Sequence, residues 1–234
     1  METQLLHTVE GVLEKEGGLD ALAALARKFP GEIAFSTSFG WEDQLITHAI
    51  FSQQLPIRVF TLDTGRMFPE TYAVWNRTLE RYKQPVEVYS PDTANVQRLL
   101  AEKGPNSFYQ SLENRKECCN IRKIEPLGRA LTGVKLWITG IRSEQSANRT
   151  DMRWIEWDAS HALVKFHPLF NWTLEQVKEE IAKHNVPYNS LHDKGFPSIG
   201  CAPCTRAVQP GADFRSGRWW WEDSAKKECG LHAG

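Results

Sequence analysis

The chain has 234 residues, 41% of them hydrophobic and 24% charged, and a formal net charge of −1; this length can bury a sizeable core in one α/β domain with additions. The near-zero charge lacks the global positive field of a sequence-independent nucleic-acid binder, and no apolar run approaches the ~20 residues of a membrane span. Because residues 1–18 also lack the apolar core of a signal peptide, we expect a cytoplasmic protein that binds neither nucleic acid nor membranes.

Hydrophobic periodicity predicts strands that alternate with helices along most of the chain. The predicted strands are 32–36, 57–62, 86–89, 134–139 and 162–169, and the predicted helices are 3–16, 19–28, a segment around 45–50, 69–82, 92–103 and 173–184. Pro69 suits a first helical turn, and Thr173 with Gln176 forms a capping box. This alternation predicts an α/β fold, a mostly parallel twisted sheet with helices on both faces.

Ligands of such sheets bind beyond the carboxyl ends of the strands. The loops 36–43, 63–66 and 140–153 each follow a predicted strand, so we expect them to surround one pocket. Residues 1–208 then form one α/β domain that contains this pocket. The segment from Gln209 is rich in Gly and charge, with little apolar content after Trp221, which predicts a mobile C-terminal tail over 209–234.

Five cysteines form two close pairs and one remainder. Cys118 and Cys119 are adjacent, Cys201 and Cys204 form a C-x-x-C pair, and Cys229 stands alone. Thiolates at such spacings can meet at one soft metal centre. Adjacent cysteines would be strained as ligands of one tetrahedral ion, whereas a [4Fe-4S] cubane offers separate iron corners. The spacing thus favours a cluster and leaves zinc or buried thiols as the alternative.

Basic residues surround these motifs. Arg122 and Lys123 directly follow the adjacent cysteines and would offset the negative charge of a cluster, whereas Arg115 and Lys116 are predicted on a solvated helix face. Arginines also follow the fourth predicted strand and the C-x-x-C pair, and guanidinium groups suit capture of anionic oxygens. These arginines are Arg142, Arg149, Arg153, Arg206, Arg215 and Arg218.

The loop after the first strand, Ser36-Thr-Ser-Phe-Gly40, presents amides and hydroxyls at a helix N-terminus. Such a turn can hold a phosphate or sulfate, although a polar strand-to-helix turn without a ligand is about equally plausible from the motif alone. It lacks the glycine and lysine spacing of a Walker loop.

Taken together, these motifs resemble those of the assimilatory adenylyl-sulfate (APS) and phosphoadenylyl-sulfate (PAPS) reductases. The chain shares Ser36 to Gly40, Leu62-Asp-Thr-Gly-Arg66, Arg115 to Lys123, Thr139-Gly-Ile-Arg142, Gly200-Cys-Ala-Pro-Cys204, Gly217 to Trp221 and Glu228-Cys-Gly-Leu-His232. They run in the family's order over nearly the whole chain. Only Ala233 and Gly234 follow the last motif.

The resemblance implies an adenine nucleotide α-hydrolase-like fold, a [4Fe-4S] cluster on Cys118, Cys119, Cys201 and Cys204, and thioredoxin (or glutaredoxin) as reductant. It implies reduction of APS to sulfite and AMP in sulfate assimilation. Cys229 is then the nucleophile that forms an S-sulfocysteine, with Lys123 and His232 as further catalytic residues. The predicted substrate-binding residues are Ser36, Ser38, Gly40, Asp63, Arg66, Arg142, Arg215 and Arg218.

Alternatives stay open at this point. Family members without the four extra cysteines typically take PAPS, so this chain is expected to prefer APS, with PAPS or dual specificity as the alternative. A tRNA-thiolating enzyme would need a Ser-Gly-Gly-x-Asp-Ser loop, and here the residues are Ser38 to Asp43. A non-enzymatic iron–sulfur sensor would not need Cys229. The sequence leaves a homo-oligomer open.

Overall fold

The computed structural model describes residues 2–145 and 152–222. Within them, six strands form one sheet in the order β3-β2-β1-β4-β6-β5. The strands are β1 (Ile33–Ser36), β2 (Arg58–Leu62), β3 (Glu87–Tyr89), β4 (Leu136–Ile138), β5 (Ile155–Asp158) and β6 (Leu163–Phe166). All pairs are parallel except β5 with β6. Because β2 and β4 flank β1 on opposite sides, the chain reverses its direction of winding there, and a crevice opens at such a point.

Eight α-helices accompany the sheet in the part of the chain that the structure describes. They are α1 (Glu2–Leu13), α2 (Ala21–Lys28), α3 (Trp41–Ser52), α4 (Pro69–Tyr82), α5 (Thr93–Lys103), α6 (Leu112–Cys119), α7 (Glu125–Ala130) and α8 (Leu174–Lys183). None of the described helices is long and apolar enough to cross a membrane.

The central strand β1 buries both of its faces. Ile33 and Phe35 of β1 belong to a large core cluster with residues of α1, α2, α3 and α8. Between them, Ala34 points to the other face and joins a smaller cluster with Leu127 and Ala130 of α7. Side chains alternate across a strand, so helices must cover both faces. This confirms the predicted fold class.

Local signals account for several helix ends. The Thr173 side chain and Gln176 form the predicted capping box before α8, and α4 begins at Pro69. The Asp92 side chain accepts a hydrogen bond from the Asn95 amide at the start of α5. Each cap satisfies an amide that has no partner inside the helix.

The prediction of a single strand over 162–169 was incomplete. The strand β6 is shorter, and an additional strand, β5, pairs with it in antiparallel register at the sheet edge. Glu156 of β5 lies opposite Lys165 of β6 in that register. The alternation of helices and strands predicts only parallel neighbours, which is why β5 was missed.

The adjacent cysteines end α6, and the chain continues through a π-helical turn, Asn120–Ile124, directly into α7. A π turn widens the helix locally and is often found at functional sites. Cys119 is buried, Cys118 is half-buried, and Lys123 lies within the π turn. The helix face predicted for Arg115 and Lys116 agrees with α6, whereas the π turn was not predicted.

The prediction of a solvated Arg115 was wrong. The Arg115 side chain is fully buried, and its Nη2 lies 2.8 Å from Oε2 of Glu222. Its guanidinium also stacks on the Trp219 ring at 4.7 Å. Lys116, by contrast, is exposed as predicted. The pair fastens residues 219–222, which belong to the predicted C-terminal tail, to α6; the predicted division into two segments at 208 remains a prediction.

We expect Glu222→Gln to lower the free energy of unfolding by about 3 kcal/mol, because it leaves the buried Arg115 charge without its counter-ion. Urea unfolding followed by circular dichroism measures this. Glu117→Gln is the matched control, since the Lys103–Glu117 pair is about 40% exposed on both sides and such pairs contribute at most about 1 kcal/mol. Equal effects of the two variants would contradict the prediction.

Candidate functional site

A cavity of about 240 Å³ opens at the carboxyl ends of the parallel strands. The loops after β1, β2 and β4 line it, as the sequence predicted for 36–43, 63–66 and 140–153. Two further segments complete the wall, Pro197–Cys201 and Phe214–Trp219. The second of these lies in the predicted tail, so part of that segment belongs to the site.

The loop after β1 is bonded to a carboxylate of its own helix. Both the amide and the hydroxyl of Ser38 donate to Oδ2 of Asp43, each over 2.6 Å. Gly40 is the N-cap residue of α3, and Phe39 before it has a left-handed φ of 61°. Such a backbone costs on the order of 1 kcal/mol or more in a non-glycine residue. The loop is therefore held in a fixed shape beside the cavity.

Asp43 is a site residue that sequence analysis did not single out. It lines the cavity, and burial raises its pKa to about 6 despite the two hydrogen bonds from Ser38. A Cβ on Gly140 would lie 2.1 Å from its Oδ1, so the loop after β4 approaches Asp43 closely only because residue 140 is glycine. The signal in the sequence was an acid in the first turn of α3.

Three cationic side chains line the same cavity: Lys123, Arg215 and Arg218. Arg218 is buried, and its Nη1 donates to Oγ of Ser198 over 3.3 Å. Its Nε has no hydrogen-bond partner among the described residues. An orphaned buried N–H is rare in native proteins, and an anion in the cavity would satisfy it.

Trp219 holds these arginines in place. It is buried with a left-handed φ of 41°, and the guanidinium carbons of Arg218 and Arg215 lie 4.8 and 5.9 Å from its ring centre. The approach of Arg218 to the backbone also requires Gly200, where a Cβ would lie 2.2 Å from its Nη2. Guanidinium groups held in this way are suited to binding the oxygens of an anionic ligand.

A second, smaller cavity lies between α6, the π turn and the turn at Ala202–Cys204. All four paired cysteines line it: Cys118, Cys119, Cys201 and Cys204. Lys123 and Cys201 line both cavities. The predicted cysteine pairs, 82 residues apart between Cys119 and Cys201, therefore meet at one place.

The pKa values of two of these thiols shift in opposite directions. Burial opposes ionisation of Cys201, but Lys123 and the Thr64 hydroxyl, 3.2 Å from its sulfur, hold the pKa of Cys201 below the usual value. Burial and the neighbouring Cys201 raise the pKa of Cys204 to about 12. Arg122 donates from Nη1 to the Thr64 carbonyl over 2.6 Å, which ties the π turn to the loop after β2.

The cysteine set matches the chemistry of a soft metal centre. Four thiols converge on one cavity whose other lining residues include Arg66, Arg115 and Arg122, so the negative charge of ligated thiolates would be offset. In the described ranges, no three His, Cys, Asp or Glu side chains form a group that could hold a single metal ion.

Of the other predicted substrate-binding residues, some line the cavity and some do not. Ser36 lines the cavity and its hydroxyl accepts a hydrogen bond from Trp137. Asp63, Arg66 and Arg142 do not line it. The Asp63 carboxylate accepts from the Gly65 amide and the Tyr72 hydroxyl.

Arg66 and Arg142 have other partners than the cavity. Arg66 stacks on Phe108 at 5.0 Å beside the cysteines. Arg142 is buried, and its Nε donates to Oε1 of Glu42 over 2.7 Å, so it neutralises a carboxylate that lines the cavity.

Three predicted site residues, Cys229, His232 and Arg149, lie outside the described residues. Arg153 is exposed, and Arg206 stacks on Trp220 at 4.7 Å. Sequence analysis missed Thr64, Thr139 and Trp219 as site residues, although all three belong to the motifs that it quoted.

A family model and known relatives of this chain agree on one protein family. A family model described as the phosphoadenosine phosphosulfate reductase domain matches residues 32–207. A Burkholderia cepacia protein named adenosine 5′-phosphosulfate reductase is 48% identical over 214 residues, which is 92% of this chain and 86% of that protein. A protein of the same name from Agrobacterium fabrum is 45% identical over 231 residues, covering 99% and 87%.

Solved structures agree with the fold. The chain is similar to the phosphoadenylyl-sulfate reductase from Candida auris in its phosphate complex, with a TM-score of 0.72 and 26% identity over 89% of this chain and 98% of that one. It also resembles the FMN adenylyltransferase of Candida glabrata, with a TM-score of 0.53 and 16% identity over 97% and 77%. The second likeness concerns the fold alone.

Proposed function

Because the chain belongs to the phosphoadenosine phosphosulfate reductase family, it is an oxidoreductase of sulfate assimilation that reduces adenosine 5′-phosphosulfate, and we propose that it does so through an S-sulfocysteine on Cys229 with thioredoxin as reductant. AMP and sulfite are the products. The observation that carries the proposal is the pair of adjoining cavities. One is lined by cations that suit a phosphosulfate, the other is lined by four cysteines, and Lys123 lines both.

The nucleotide cavity binds and orients the substrate. Lys123, Arg215 and Arg218 would neutralise the phosphosulfate, and the orphaned Arg218 Nε would donate to one of its oxygens. Buried donors at fixed positions stabilise developing charge more strongly than water does. They also make the phosphate of AMP a better leaving group by holding its negative charge.

The chemical step is a displacement at sulfur. The Cys229 thiolate attacks the sulfur of the sulfate group, the bond from that sulfur to the bridging oxygen breaks, and AMP leaves with the electron pair. The product is Cys229 linked to a sulfonate. A covalent intermediate divides one difficult reduction into two displacements.

Two further displacements return the enzyme to its starting state. A thioredoxin thiolate attacks the Cys229 sulfur, the sulfur–sulfur bond breaks, and sulfite leaves. The second thioredoxin thiol then resolves the mixed disulfide, so that thioredoxin becomes oxidised and supplies both electrons. His232 is proposed to assist Cys229 in this cycle; both belong to the motif that ends the chain.

The four cysteines of the smaller cavity would hold a [4Fe-4S] cluster. When bound, such a cluster would supply structural support and a negatively charged group rather than electrons, because thioredoxin is the reductant and four cysteine ligands would leave no open position for the substrate. Lys123 would then lie between two anionic partners, the ligated thiolates and the phosphosulfate. Arg122 and Arg115 would balance the remaining charge on Cys118 and Cys119.

We expect protein purified without oxygen to contain about four irons and four labile sulfides per chain, by the definition of the cluster. Iron and sulfide analysis together with the visible absorption spectrum measures this. Cys204→Ser should lose iron, whereas Ser216→Ala, in an exposed turn, should retain it. Stoichiometric zinc without labile sulfide would contradict the proposal.

We expect a higher kcat/KM for APS than for PAPS, because relatives that are 45–48% identical are named for adenosine 5′-phosphosulfate and the extra phosphate of PAPS would enter a cavity that already holds the Asp43 carboxyl group. Like charges in a partly buried site repel strongly. Sulfite release with thioredoxin, measured for both substrates, tests this and the activity itself. A preference for PAPS would overturn the specificity, and no sulfite from either nucleotide would overturn the function.

A further inference from the structure

A cluster of buried ionisable side chains lies beside the nucleotide cavity, on the edge of the sheet formed by β5 and β6. His167 follows β6 and is buried, and its Nδ1 lies 2.7 Å from Oγ1 of Thr139. On the other side of the ring, its Nε2 lies 3.6 Å from Oε1 of Glu156. Thr139 directly follows β4 and lines the nucleotide cavity. Glu156, His167 and Thr139 thus form a continuous row of side chains from the sheet edge to the cavity wall.

The backbone fixes the position of His167 on both sides. Its amide donates to the Trp154 carbonyl over 2.8 Å, and its own carbonyl accepts from the Phe170 amide over 3.0 Å. The Thr139 amide donates to the Phe166 carbonyl over 3.0 Å. Because both residues are tied to β6, the imidazole and the hydroxyl meet without the loss of side-chain freedom that a surface contact requires.

The charges around the ring decide which partner donates. Lys165 of β6 lies 3.0 Å from Asp158 and 3.9 Å from Glu156, both on β5, and His161 of the connecting turn lies 3.2 Å from Asp158. Lys165 is therefore closer to Asp158, and within 2–145 and 152–222 His167 has the titratable nitrogen nearest to Glu156. The Asp158 side chain is buried and that of Glu156 is 25% exposed, so one buried lysine between the two carboxylates leaves a negative charge that a second cation would balance.

The carboxyl groups themselves are held ionised. Burial opposes their ionisation, yet His167 and Lys165 hold the pKa of Glu156 below its usual value, and Lys165 and His161 do the same for Asp158. An ionised Glu156 favours a proton on the facing Nε2. With that proton in place, the proton on Nδ1 sets the direction of the hydrogen bond to Thr139.

We propose that His167 is a positioning residue that Glu156 holds as an imidazolium, so that its Nδ1–H donates to Thr139 and the Thr139 hydroxyl is left to donate into the nucleotide cavity. A hydroxyl that donates suits an anionic ligand, whereas one that donates to a neutral imidazole presents only lone pairs to it. This inference rests on the proposed function, because it takes an anionic nucleotide as the ligand.

Four variants separate the parts of this arrangement, with AMP as the probe and calorimetry as the measurement. Thr139→Val and His167→Phe should each weaken AMP binding about tenfold, the value of one hydrogen bond to a charged group. His167→Asn should bind within about twofold of the unaltered protein, because the asparagine amide takes the place of Nδ1 and can donate to Thr139. The double variant Thr139→Val/His167→Phe should be no weaker than either single variant.

The pH dependence distinguishes positioning from packing. Asp43 and the phosphate of AMP also titrate near neutral pH, so the informative quantity is the affinity of the unaltered protein divided by that of His167→Asn at each pH. This ratio should fall as the pH rises and His167 loses its proton. In Glu156→Gln, which lacks the carboxylate that holds the proton, the fall should occur at lower pH. Glu179→Gln, on the exposed side of α8, is the control and should leave the pH at which the ratio falls unchanged.

Nitrogen NMR of the ring, with His167→Asn used to assign the resonances among the seven histidines, gives a readout that needs no ligand. Two protonated ring nitrogens for His167 at pH 7 are the expected result. A neutral ring would overturn the inference and leave the proposed function intact. Normal AMP binding by Thr139→Val would do the same, whereas no AMP binding by the unaltered protein would overturn both.

Discussion

Cys229→Ser is expected to abolish sulfite release from APS, with a loss on the order of 10⁴-fold or more in kcat, because the variant lacks the atom that forms the covalent intermediate. A serine hydroxyl is a far weaker nucleophile than a thiolate near neutral pH. The variant should still contain iron and should still bind AMP, since it leaves unchanged every described residue that lines the two cavities. Stopped assays with thioredoxin measure sulfite, and mass spectrometry measures the adduct.

The covalent intermediate can be followed separately from turnover. Incubation with APS labelled in its sulfate sulfur, without thioredoxin, should place the label on Cys229 of the unaltered protein and nowhere on Cys229→Ser. Ser224→Ala is the matched control from the same segment and should accept the label normally. Label on Cys118, Cys119, Cys201 or Cys204, or near-normal sulfite release by Cys229→Ser, would refute the mechanism.

Much of the fold could be predicted because its signals are local. Proline at the start of α4 and the capping box of α8 are contained within a few residues, and both elements appeared at the predicted positions. The three ligand-facing loops were predicted from a general property of parallel sheets. By contrast, β5 depends on its pairing with β6 at an edge, and the four residues Ile155–Asp158 are too few to give a clear period by themselves.

The site was predictable in its chemistry and less so in its pairings. The cysteine pairs and the basic residues beside them stand out by type and spacing, and the structure brings the four paired cysteines to one cavity. The partner of each arginine is a long-range property. Arg142 pairs with Glu42, 100 residues away, and Arg115 with Glu222, 107 residues away. An arginine that the sequence places in a substrate site or on the surface can therefore form an ion pair with a distant carboxylate, because only folding brings the two together.

Lys123→Ala is expected to lower kcat/KM for APS by about 10²–10³-fold, the usual cost of removing one preorganised charged group from a transition state. Lys123 lines both cavities, so its charge would act where negative charge moves onto the departing AMP. It is also a principal cause of the lowered pKa of Cys201. The iron content should stay unchanged, because lysine is not a ligand.

Two further variants make the test of Lys123 specific. Lys116→Ala, on the exposed side of α6, removes the same charge from the same segment and should leave kcat/KM within about twofold, since an exposed charge is screened by salt. Lys123→Arg should recover part of the activity, because it restores the charge but not the compact ammonium group. Losses of equal size in Lys123→Ala and Lys116→Ala would show that Lys123 acts only through the general field of the protein. Unchanged turnover in Lys123→Ala would make it an ordinary cation of the π turn, and the link between the two cavities would then have no part in the reaction.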